Sequence, residues 1–140
     1  MITLPILLFL IFLTLAAIHF NWMLGGQWGF DNALPTKPNG ERVLNPKPID
    51  SAIVGIGLTG FALFYLFTSS MVNVEIPDWL VKYGGWIIPS IFILRAIGDF
   101  NYVGFFKKVK ETNFGRMDSK YYCPLCLLVG IIGGIVQIMK

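Results

Sequence analysis

Four long runs of apolar residues dominate this chain, and they leave it few ways to fold. The first, Ile2 to Leu24, holds no formally charged side chain and is about 35 Å long as a helix, enough to cross a bilayer. Three more follow, at about residues 51–72, 79–102 and 121–139. In lipid the backbone must satisfy its own hydrogen bonds, so such runs are helices or the strands of a closed barrel. These runs are continuously apolar rather than alternating, which excludes the barrel pattern. The expected fold is all-α: an integral membrane four-helix bundle with spans at about 2–24, 51–72, 79–102 and 121–139. Residues 1–140 form one four-span domain. The first run lacks a basic leader and its apolar core is too long for a cleaved signal, so it reads as a retained span.

Charge supports the same reading. Only 14% of residues are charged, against roughly 25% in a soluble domain, and 55% are hydrophobic. The net charge of +3 does not indicate nucleic acid, because the basic residues flank spans, where anionic lipid is the fitting partner. The loop after span 1 carries Lys37, Arg42 and Lys47, and the loop after span 3 carries Lys107, Lys108, Lys110, Arg116 and Lys120. The opposite side has only Lys82 and Lys140. This eight-to-two excess predicts a multi-pass protein of the cell membrane, with loops 25–50 and 103–120 cytoplasmic and both termini outside. The first loop, rich in Pro, Asn and Gly, reads as turns rather than helix. The second mixes Phe with Lys and reads as an interfacial segment, with anionic headgroups expected near Lys107, Lys108 and Lys110. Asp118 or Ser119 is a candidate cap for the fourth helix, whose first turn then holds Pro124.

Helices in lipid associate through close packing, which small residues at four-residue spacing allow. Ser51, Gly55 and Thr59 form one such ridge, and Cys126, Gly130 and Gly134 another. Either could serve within one chain, in a homo-oligomer or against a partner membrane protein. Pro89 in span 3 predicts a kink.

The polar residues of the spans gather at one membrane face, whichever way the chain inserts. His19, Asn21, Trp22, Gln27 and Trp28 end span 1; Arg95, Asp99 and Tyr102 end span 3; Cys123 and Cys126 open span 4. Arg95 and Asp99 share a helix face and can pair. Ionisable groups inside a span are costly, and so are functional candidates, although a snorkelling arginine with its counter-ion would look the same. His19 could carry a proton or contact a headgroup, or simply bond to a neighbouring helix. A lone histidine without a carboxylate cluster makes no metal site, and no motif implies a cofactor. The "LGGQWG" turn lacks the lysine and the strand–helix context of a nucleotide loop. "CPLC" at 123–126 has thiol-oxidoreductase spacing, but on a face predicted to be cytoplasmic, where disulfides are rare.

At "HFNWMLGGQWG", "LRAIGDFNYVGFFKKVKETNF" and "YYCPLC" the chain resembles a family of small four-span bacterial membrane proteins classed as a domain of unknown function. The resemblance covers most of the chain. It implies the four-span architecture and marks the one-face cluster as a family hallmark, but implies no activity. Serine often stands in that family where this chain has Cys123, which weakens a shared dithiol mechanism.

Three functions remain open. The first is an accessory or lipid-interacting membrane protein without catalysis. The second is an enzyme or binding protein for an amphiphile at the cytoplasmic leaflet. There Arg95 would hold the headgroup, Asp99 would orient it and His19 would act as acid or base. Trp22 and Trp28 would line the mouth, with Asn21, Gln27 and Tyr102 beside it. The third is a small proton-coupled transporter using Asp99, which lies nearer the surface than the midplane such sites favour.

Overall fold

A computed structural model describes residues 3–26, 30, 33–39, 41, 47–98, 100 and 102–140. All its regular elements are helices: α1 (Thr3–Met23), α2 (Pro48–Thr68), α3 (Asp78–Ile97), α4 (Asn113–Met117), a π-helical turn (Asp118–Tyr122) and α5 (Cys123–Ile138). The last three are continuous. They give four segments long and apolar enough to cross a membrane: Thr3–Met23, Pro48–Thr68, Asp78–Ile97 and Asn113–Ile138. This is the architecture of a multi-pass membrane protein.

The ends of these helices have local causes. Pro48 opens α2, where its missing N–H is harmless, and Asp50 Oδ2 accepts from the Lys47 N–H at 2.8 Å. The hydroxyl-rich "TSS" sequence closes α2, with Ser69 Oγ donating to the Leu66 carbonyl at 2.6 Å. The span expected to reach residue 102 stops at Ile97, because Gly98 adopts φ +87°. The last helix begins well before residue 121. Its cap is Thr112, whose hydroxyl accepts from the Gly115 N–H at 2.9 Å. Asp118 and Ser119 therefore lie inside the helix instead of capping it. Among the described residues of the first large loop, Asn39 folds a turn by accepting from the Glu41 N–H at 3.0 Å.

Helix α1 packs chiefly on α2, and α3 on α5. Phe12 joins the two pairs: its ring lies 5.8 Å from Tyr65 of α2 and 5.2 Å from Phe92 of α3. Around it Leu8, Ala16, Leu58, Ala62, Ile88 and Val129 are buried. The α3–α5 seam closes over small residues. Gly130 sits against Ile93 and the Pro89 carbonyl, and Gly133 against the Pro89 ring and the Tyr65 hydroxyl. The expected ridge is thus shifted: Gly134 faces open space. On α2, Gly55 and Ser51 are buried as expected, with Gly55 beneath the Phe20 ring. Many large apolar residues on the outer faces, such as Leu10, Ile56, Ile87 and Ile131, are exposed. That pattern suits a lipid solvent.

Candidate functional site

The polar end of α3 and the start of the last span are tied together around one carboxylate. After Gly98 (φ +87°) the chain loops and returns through Gly104 (φ +95°), and the Phe105 N–H closes it by donating to the Ala96 carbonyl at 2.7 Å. The two glycines cross so closely that a Cβ on Gly98 would meet the Val103 carbonyl, and one on Gly104 the Ile97 carbonyl. Positive φ and this crossing both demand glycine.

The crossing presents Gly104 to Asp118. Asp118 Oδ2 accepts from the Gly104 N–H at 2.8 Å, and Oδ1 accepts from Arg95 Nη2 at 2.8 Å. Lys107 Nζ lies 3.3 Å from Oδ2, and also donates to the Gly104 carbonyl at 3.0 Å and to Ser119 Oγ. The Cys123 thiol is a further hydrogen-bond partner of the carboxylate. The Asp118 and Lys107 side chains are fully buried, and Arg95 is about one-third exposed (32%). A buried carboxylate is tolerable only when its lone pairs are met in this way. Among the described residues the cluster holds two cations and one anion. Arg95 Nη1 is buried without a hydrogen-bond partner.

The π turn has a local cause. In an α-helix the Pro124 ring would strike the carbonyl four residues back, that of Lys120. The wider turn relieves this, and the Cys123 N–H reaches the Asp118 carbonyl. Such turns are frequent at functional sites.

Other expected site residues lie apart from this cluster. His19 Nδ1 is 2.8 Å from the Leu15 carbonyl of its own helix. A carbonyl can only accept, so Nδ1 carries the proton. The imidazole packs edge-on to Trp22 at 4.7 Å, and Trp22 against Phe30 at 5.5 Å. The Asn21 side chain lies over Gly26, and Tyr102 is half-buried. Among the described contacts none joins His19 to Arg95 or Asp118. Gln27, Trp28 and Asp99 fall outside the described residues. Cys123 (buried) and Cys126 (half-buried) are free thiols. Lys107, expected among headgroups, turns its ammonium inward, whereas Lys108 and Lys110 are exposed. The described residues hold no group of three or more His, Cys, Asp or Glu able to bind a metal.

A family model described as "Protein of unknown function (DUF3995)" matches residues 12–133. The chain belongs to that family. The matched stretch includes His19, the Gly98–Gly104 crossing and the whole Asp118 cluster, and it ends before Met139 and Lys140. No curated protein and no solved structure matches the chain.

Sequence reasoning missed Asp118 as the buried partner of Arg95, and Lys107 as a second, buried cation on the same carboxylate. Once Thr112 is seen as the cap, Asp118 becomes an ionisable residue within a span, which marks it as a candidate by default.

Proposed function

We propose that this protein is a non-catalytic membrane component that engages anionic lipid through its polar end. One observation carries the reading. Asp118 draws Lys107 and one arm of Arg95 inward, while the outer cations stand beside exposed rings. Lys108, Lys110, Arg116 and Lys120 are exposed, and so are Phe100, Phe105, Phe106 and Tyr121. The Phe100 and Phe106 rings lie 6.1 Å apart, and the Lys120 ammonium sits 5.1 Å from the Tyr121 ring centre. Rings at the headgroup boundary with ammonium groups above them suit an anionic leaflet. The loop charges orient this end toward the cytoplasm. The pocket enzyme is disfavoured, because His19 is bonded within its own helix and apart from Arg95.

The test is native mass spectrometry of protein released from an equal mixture of phosphatidylglycerol and phosphatidylcholine. Each lysine near an anionic surface contributes about 1 kcal/mol. The triple variant Lys108→Gln, Lys110→Gln, Lys120→Gln should therefore lose most of the wild type's preference for phosphatidylglycerol. An unchanged preference rejects the proposal.

A further inference from the structure

At the opposite end of the bundle, the start of α1 and the ends of α2 and α5 enclose a cavity of about 180 Å³. Its floor is apolar, formed with Leu4, Val136 and Met139, and its rim carries Thr68, Ser69, Ser70 and Lys140. Among the described residues no acidic side chain lines it. Two rim hydroxyls are committed: Thr68 donates to the Tyr65 carbonyl at 3.3 Å, and Ser69 donates to Leu66 while accepting from the Met71 N–H at 3.3 Å. Ser70 and Lys140 are different. Ser70 holds φ +72°, a conformation that costs a non-glycine residue energy and that clusters at functional sites. Both side chains are exposed at the rim, and among the described residues the Ser70 hydroxyl has no hydrogen bond and Lys140 no ion pair. Partial desolvation also lowers the Lys140 ammonium below the ordinary lysine range.

We infer that this cavity binds an anionic single-chain amphiphile, with its headgroup on Lys140 and Ser70 and its chain starting over Leu4, Val136 and Met139. A rim ammonium, with a hydroxyl beside it and no acidic side chain in the described lining, selects an anion, and the apolar floor selects a chain. Volume sets the limit. A cavity of roughly 150 Å³ accepts a benzene-sized molecule, so this one takes a headgroup and the first few methylenes. The rest of the chain leaves along the bundle into lipid. A carboxylate and a phosphate monoanion share this chemistry. The site is independent of the lipid contacts proposed for the other end.

Full-length protein in a neutral detergent would be titrated with sodium oleate, lysophosphatidylglycerol or uncharged monoolein, and bound adducts counted by native mass spectrometry. The expected result is one oleate or one lysophosphatidylglycerol per chain, in preference to monoolein. The anion that binds identifies the headgroup, and either one supports the site. Lys140→Gln should weaken binding about tenfold or more, whereas Lys82→Gln, a charge at the same end but outside the cavity, should not. Ser70→Gly should weaken binding several-fold while raising thermal stability, since glycine accepts the positive φ, so the loss cannot reflect unfolding. Anions bound no better than monoolein, or unaltered by Lys140→Gln and Ser70→Gly, would overturn the inference. Changes at Lys108, Lys110 and Lys120 report on the other end and leave this test untouched.

Discussion

Replacing Asp118 with asparagine removes the charge that holds two cations, three helical segments and a loop in one place. The side chain keeps its volume, so the change isolates electrostatics from packing. Lys107 is fully buried beside Asp118 and has only neutral partners left, the Gly104 carbonyl and Ser119. Removing one partner of a buried pair costs about 3–5 kcal/mol. Arg95 is 32% exposed, so water compensates much of its loss, and its share must be discounted. The buried Lys107 sets the scale, so the total is about 3–5 kcal/mol. For a chain of this size that lowers the midpoint of thermal unfolding by about 10 °C, read from tryptophan fluorescence in detergent. The decisive form is a double-mutant cycle. Lys107→Met alone leaves Asp118 with Arg95 and the Gly104 N–H, and should also destabilise. Lys107→Met with Asp118→Asn leaves neither charge of the pair, and should cost less than the two single changes added together. A single Asp118→Asn change within 1 kcal/mol of wild type, or strict additivity, would refute the claim that this carboxylate organises the polar end.

Two further expectations follow from the same geometry. Gly98→Ala and Gly104→Ala each force a Cβ into a backbone carbonyl at positive φ, and should each cost about 2 kcal/mol or more in the same unfolding assay. Gly57→Ala, with open space around its Cα, should be neutral or slightly stabilising, and a comparable loss there would show that the crossing is not special. In the folded protein, N-ethylmaleimide should modify half-buried Cys126 faster than Cys123, which is buried against Asp118. Faster labelling of Cys123 in single-cysteine variants would contradict that placement.

The spans were legible because continuous apolar runs speak for themselves, and the number and class of elements follow from them. Their ends were less legible. The Phe100 and Tyr102 rings after Ile97 invite a longer third helix, and the positive φ of Gly98 explains why it stops. The charged "TNFGRMDSKYY" hid the true start of the last helix, since a charged stretch beside a span resembles a loop. The site suffered from the same bias toward neighbours in sequence. Four-residue spacing pairs Arg95 with Asp99, which lies outside the described residues, whereas the partner the structure describes, Asp118, lies in another helix and accepts directly from Arg95. Lys107 was placed among headgroups because a lysine beside two phenylalanines usually snorkels. Its inward turn depends on a long-range carboxylate that no local pattern announces. His19 bonds to the Leu15 carbonyl of its own helix, not to the neighbouring helix that the plainer reading expects.

The π turn also sets a rotational phase. An α-helix advances about 100° per residue. Gly130 lies twelve positions beyond Asp118 and Gly133 fifteen, so in an unbroken α-helix they would point about 120° and 60° away from the carboxylate. The π turn absorbs roughly one residue of that advance. The two glycines then fall at about 20° and −40°, centred almost on the direction of Asp118. Carboxylate and glycine seam can thus both address α3, one to Arg95 and the other to Pro89 and Ile93. At this chain length an unbroken α-helix would keep either the ionic cluster or the close helix contact in register, but not both, whereas a chain one residue shorter between Asp118 and Cys123 would hold the same phase without the π turn. The irregular turn acts like a vernier between two halves of one span, letting a polar end and an apolar shaft be tuned separately yet meet the same neighbour.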